Sequence, residues 1–170
     1  MPLNTGSFVA MLLRMTVFQE VTMEREEYMA LALALAKEAA DAGEVPVGCV
    51  IADGEGRVIG RGRNRREESG DATAHAEVEA IRQACAAIGN WRLEKCSIYV
   101  TLEPCPMCTG AIINSRIPTV VFGAREALSG SCGSVIDLFS ENSGHRPAVF
   151  GGVLAEDCAA LLRDFFRGKR

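Results

Sequence analysis

Apolar and polar positions follow two periods along the chain. From Glu24 to Ala42 the sequence is built of strong helix formers, Tyr-Met-Ala-Leu-Ala-Leu-Ala-Leu-Ala-Lys-Glu-Ala-Ala. Acidic residues crowd the first turn and Gly43 closes it, which predicts one helix over Glu24–Ala42. Val47–Ala52 and Arg57–Arg61 then read as two short strands. Asp53-Gly54-Glu55-Gly56 between them is a hairpin signal. Residues 61–74 are polar and predict a loop. Helical spacing returns over Ala74–Ile88, with Ile81, Ala84, Cys85 and Ile88 on one face.

Ser97–Leu102 is a continuous apolar run of the kind found in buried strands. Pro106–Ser115 predicts a helix with proline in its first turn, and Thr119–Phe122 another strand. The stretch from Arg125 to His145 is rich in Gly and Ser and reads as irregular, with a short helical piece at Val135–Phe139. Pro147–Val153 is the expected last strand. Ala155–Phe166 is the closing helix, with Leu154, Leu161, Leu162 and Phe165 as packing candidates. Alternating strands and helices predict an α/β layered fold, and the early hairpin makes its sheet mixed.

Composition narrows the class. The 170 residues are 48% hydrophobic and 24% charged, ordinary for one soluble domain with a sizeable core. No apolar run approaches the roughly 20 residues of a membrane span, so no membrane association is expected. The net charge of −4 gives no global sign of nucleic-acid binding, so any such contact must come from local basic residues. Seven cysteines, an odd number, do not resemble a secreted disulfide framework, and a cytoplasmic location is expected. Cys49, Cys85, Cys96, Cys132 and Cys158 sit among apolar neighbours and read as small buried residues. Residues 1–23 lack a basic start and a cleavage site, and read as an N-terminal extension, disordered or preceding a later true start at Met15 or Met23. Residues 24–170 read as one domain.

The chemistry concentrates in Thr73-Ala74-His75-Ala76-Glu77 and Pro104-Cys105-Pro106-Met107-Cys108. Cys105 and Cys108 lie one helical turn apart, so both sulfurs face the same side. Two soft thiolates with one imidazole suit zinc. The chain has only two histidines and no second C-x-x-C, so His75, Cys105 and Cys108 form a three-ligand set. Three protein ligands leave a position open for water, the mark of a catalytic zinc site. Two thiolates cancel the charge of the ion, so it acidifies water less than an all-histidine site would. Glu77 is therefore the expected general acid and base. His145 reads as a loop residue.

The combination H-A-E … P-C-P-M-C resembles the signature of zinc nucleobase deaminases. Gly-Glu-Val-Pro-Val-Gly (43–48), Tyr-Val-Thr-Leu-Glu-Pro-Cys (99–105), Phe-Gly-Ala-Arg (122–125) and residues 156–166 are similar to the bacterial tRNA-specific adenosine deaminases. The resemblance runs from about Glu24 to Arg170. It implies a three-layer α/β/α cytidine-deaminase-like fold around a five-stranded mixed sheet, one zinc per subunit and a homodimer. It implies hydrolysis of adenosine to inosine at the wobble position of a tRNA anticodon stem-loop, with an arginine tRNA as substrate. By the same resemblance Asn64 hydrogen-bonds the edge of the base. Val47 and Leu102 read either as apolar walls of the pocket or as core residues, and the backbone N–H groups of Ala76 and Cys105 as donors to the leaving or attacking oxygen. Arg61, Arg63, Arg65, Arg66, Arg125 and the basic C-terminal end are candidate RNA contacts.

The chain departs from the family pattern at Glu126, Leu128 and Cys132, which replace aspartate, lysine and alanine. Two other readings remain at this point: a deaminase of a free base or nucleotide of guanine or cytidine type, and a non-enzymatic zinc-stabilised RNA-binding module. The latter requires a fourth ligand from Cys49, Cys85, Cys132 or His145.

Overall fold

The computed structural model describes residues 25–141 and 143–169, so the expected extension over residues 1–23 lies outside the described residues. Helix α1 occupies 25–41. Met29, Ala32, Ala36 and Ala39 recur every three or four residues and are fully buried, which defines its inner face. Gly43 takes the left-handed conformation, φ 81°, and Glu44 N–H donates back to Ala39 O at 2.9 Å, closing the helix.

Strands β1 (Gly48–Ala52) and β2 (Val58–Arg63) form the expected hairpin, with a bulge at Ile51/Ala52. Strands β3 (Ser97–Leu102), β4 (Thr119–Ala124) and β5 (Ala148–Gly151) complete one sheet in the order β2-β1-β3-β4-β5. β1 pairs antiparallel with both β2 and β3, while β3–β4 and β4–β5 are parallel, so the sheet is mixed as expected. Alternate strand residues face opposite sides. Cys49, Ile51, Ile98, Val100, Val120 and Phe122 pack on one side. There they meet helices α3 (Ala76–Ile88) and α4 (Pro106–Asn114). Val50, Tyr99 and Val121 pack on the other, against α1 and α5 (Ala155–Arg167). The result is three layers.

Four local expectations change. The polar loop after β2 contains one helical turn, α2 (Arg66–Ser69), closed by left-handed Gly70. The inner face of α3 is Ala76, Glu77, Ala80 and Ala84, whereas Ile88 is 46% exposed. The cause lies in β2: a methyl group added at Gly60 would overlap Ala80 O, and one at Gly62 would overlap Ala76 O. The helix docks so close that β2 must present glycine where Ala76 and Ala80 approach it. The helical piece expected at Val135–Phe139 is a 3₁₀ turn over Leu138–Ser140, capped by Asp137 Oδ1 accepting from Ser140 N–H at 3.3 Å. Finally, Cys49, Cys96 and Cys158 are buried, but Cys85 and Cys132 are only partly so.

Candidate metal centre and cleft

His75 is the N-cap of α3 and Cys105 the N-cap of α4, both with extended backbone. Pro106 occupies the first turn of α4 and brings Cys108, fully buried, one turn further in. β2 and β3 run the same way, so the helices that follow them start at the same edge of the sheet. His75 Nδ1 lies 3.7 Å from Cys105 Sγ and 3.6 Å from Cys108 Sγ. The three donor atoms lie within 4.8 Å of one another, and among the described residues no other His, Cys, Asp or Glu joins the group.

The spacing tests the fit of a metal. Tetrahedral zinc with bonds of about 2.3 Å to sulfur and about 2.0–2.1 Å to nitrogen separates those ligands by roughly 3.6 Å. The donor set and the distances both suit zinc. Of the residues weighed as a fourth ligand, Cys49 is buried in the core under the sheet. His145 Nε2 donates instead to Ile117 O at 2.7 Å.

Without metal, the charges of the three groups lean on one another. A hydrogen bond from Cys108 holds the Cys105 thiol down to about 4, and that partnership pushes Cys108 up. The same sulfur of Cys105 raises His75 by hydrogen bonding. Glu77, in the first turn of α3, is 4% exposed and within hydrogen-bonding reach of Cys108. Burial pushes its carboxyl up to about 7.

A cleft opens over these groups. Val47, Asn64, Ala76, Leu102 and Cys105 line it together with His75 and Glu77, and Cys108 sits beneath them. Asn64 is 8% exposed and follows β2, while Leu102 ends β3. The structure thus gathers every predicted site residue around one cleft. Of the candidate RNA arginines, Arg61, Arg63 and Arg65 line one surface pocket beside β2, and Arg66 lines the cleft itself. Arg63 and Arg65 both pair with Glu68, at 2.8 and 3.1 Å, and Arg66 with Glu67 at 3.5 Å. Arg125 donates to Ser134 Oγ at 3.2 Å. At the C-terminal end Arg163 and Arg167 pair with Glu156 and Asp164.

Two buried acids escaped the sequence reading. Glu103 lines the cleft from inside the Thr-Leu-Glu-Pro-Cys run and accepts from the backbone N–H of Glu126, Cys132 and Ser134 at 3.0 to 3.2 Å, and from the Ser134 hydroxyl. Burial raises its carboxyl, but these donors outweigh it and hold it below its ordinary value. Glu44, 1% exposed, stands behind Asn64. The only signal for either was an acidic residue inside an apolar run.

An α/β/α sandwich with a His/Cys/Cys cluster on two helix starts, flanked by a buried carboxylate, is the arrangement of a zinc-binding domain. The model of the family described as the cytidine and deoxycytidylate deaminase zinc-binding region matches residues 22–124. The chain belongs to that family. It is 46% identical over 146 residues to the tRNA-specific adenosine deaminase of Bacillus subtilis, covering 85% of this chain and 90% of that protein. It is also 49% identical over 138 residues to the tRNA(Ile)-lysidine synthase of Deinococcus radiodurans, covering 81% of this chain. There it spans only 24% of the length of the relative. Among solved structures, one from work on A-to-I editing by tRNA:A34 deaminases at the wobble position of transfer RNA superposes with a TM-score of 0.77. That match has 42% identity and covers 80% of this chain and 99% of the other.

Proposed function

We propose that this protein is a zinc-dependent tRNA adenosine deaminase that converts adenosine to inosine at the wobble position of an anticodon loop. The observation that carries the chemistry is a buried carboxylate, Glu77, beside a three-donor cluster with no fourth protein ligand among the described residues. The substrate class follows from the relatives that match nearly end to end, named for tRNA adenosine.

His75, Cys105 and Cys108 would hold a zinc ion, which would lower the pKa of a water. Glu77 would take one proton from that water as its oxygen bonds to C6 of adenine and pass it to N1, then take the remaining proton from the C6 hydroxyl and pass it to the amino group. The C6–N bond breaks, ammonia leaves and C6=O remains, the base of inosine. A carboxyl buried in the first turn of α3 beside the donor cluster is placed for both halves of that proton traffic. Asn64 hydrogen-bonds the base edge, and Val47 and Leu102 form the walls. The N–H groups of Ala76 and Cys105, at the positive ends of α3 and α4, face the reacting oxygen. A stacked adenine cannot enter such a cleft, so the nucleotide is splayed from a single-stranded loop.

On the resemblance, the substrate is an arginine tRNA and the active form a homodimer in the cytoplasm. Exposed Val135 and Ile136 offer apolar surface for a second copy. Among the described residues no helix is long and apolar enough to cross a membrane. The test is inosine formation in an arginine-tRNA anticodon stem-loop, with and without a zinc chelator, beside free guanine and cytidine. Chelator-sensitive inosine is the expected result. Turnover of a free base at ordinary enzyme rates with no action on the stem-loop overturns the substrate assignment.

A further inference from the structure

The Asn64 side chain is held from behind. Its backbone N–H donates to Val47 O at 3.0 Å and its side-chain Nδ2 donates to Glu44 Oε2 at 3.3 Å. The other oxygen of Glu44 accepts from the backbone N–H of Glu68 at 2.7 Å, in the turn that carries Arg66 to the cleft. Glu44 is almost completely buried, yet it belongs to neither the donor cluster nor the proton route.

The two ends of an amide have nearly the same shape and opposite hydrogen-bonding character. An unrestrained asparagine can offer a base either end. Here both oxygens of Glu44 act as acceptors, so the NH₂ end of Asn64 must turn towards it. Asn64 Oδ1 has no protein partner among the described residues, and it is not a buried unpartnered atom. It therefore opens to the cleft that Asn64 lines.

We propose that Glu44 is a positioning residue for deamination: it fixes which end of the Asn64 amide meets the base, and so sets the hydrogen-bond pattern a substrate must match. The inference rests on the assignment of Asn64 to the base edge.

Glu44→Gln keeps the shape and inverts the pattern. The Glu68 N–H is a fixed donor and retains the glutamine oxygen, so the new NH₂ faces Asn64 and turns its amide round. The expected result is a fall of about tenfold or more in kcat/KM on the anticodon stem-loop, with zinc content and thermal midpoint retained. Glu44→Asp, which keeps two acceptors but shortens the arm, should lose less than Glu44→Gln. A role in packing alone predicts the reverse order, because glutamine is the better match in volume. In an Asn64→Ala background Glu44→Gln should have no further effect.

Several outcomes overturn the inference. They are wild-type kcat/KM for Glu44→Gln, the same loss in both backgrounds, or a loss that only tracks zinc content or folded fraction. If Asn64→Ala itself costs nothing, the base-edge assignment falls along with it. If Asn64→Ala is costly and Glu44→Gln simply adds to it, only Glu44 loses its role. A wild-type protein that leaves the stem-loop untouched overturns both.

Discussion

The half of the cleft that carries His75, Cys105, Cys108 and Glu77 stands on the first turns of two helices, whereas the half that carries Asn64, Glu126 and Ser129 hangs from loops. On the helix side, each donor is placed by local geometry and by close docking on the sheet. On the loop side, buried carboxylates do the placing from a distance: Glu44 reaches Asn64 and Glu68, and Glu103 gathers residues 126–134. Chemistry that must be aligned to fractions of an ångström sits on regular structure. Recognition, which differs between substrates, sits on segments pinned at a few points.

Substitutions on each side should separate the two. The largest effect is expected at Glu77. Glu77→Gln should lower inosine formation by on the order of 10²- to 10⁴-fold while metal analysis still finds one zinc. Retained activity would remove proton transfer from the helix side. The same variant has a signature in the metal-stripped protein. There burial lifts the Glu77 carboxyl from its ordinary 4.5 to about 7. Its stabilising contribution is complete below the lower value and lost as pH rises through the upper one. Wild type should therefore weaken relative to Glu77→Gln across that window, read by thermal unfolding.

Next in size is Gly62→Ala, which drives a methyl group against Ala76 at the start of α3. We expect a loss of about 1–3 kcal/mol in unfolding free energy and easier loss of zinc to a competing chelator. A destabilised protein with unchanged zinc affinity would show that the docking of α3 does not set the ligands. Glu103→Gln should cost about 1–2 kcal/mol, because an NH₂ replaces an acceptor among several donors. Its mark should be weaker substrate binding, a raised KM with zinc content unchanged. The smallest change is Leu128→Lys at a 90% exposed position. Stability should stay within about 0.5 kcal/mol, while stem-loop binding gains at most about one unit of salt dependence.

This division also explains what was legible in the sequence. Cys105 and Cys108 lie one helical turn apart, so spacing alone placed both sulfurs on a common face, and Glu77 follows His75 at the start of the same helix. The strand at Ser97–Leu102 coincides with β3 because an apolar run bounded by polar residues has few alternatives. The inner face of α3 was misjudged because large apolar residues such as Ile81 and Ile88 dominate any periodicity. The real contact is alanine on glycine, set by β2 from across the chain. Glu44 and Glu103 were overlooked because an acid is buried only when distant donors satisfy it. Those donors come from 20 to 31 residues away. The turn at Leu138–Ser140 is tied back to the loop by Leu138 N–H donating to Ser131 O at 3.0 Å.

The shared starting edge of α3 and α4 has a mechanical consequence. A zinc ion joining His75 to Cys105 acts as a rivet across 30 residues of chain, and the circuit it closes encloses the whole of β3. A crosslink over a span of that size removes about 3–4 kcal/mol of freedom from the unfolded chain. Stripping the ion would return that freedom to the unfolded chain, and the protein would report a missing metal by its melting as well as by its silence.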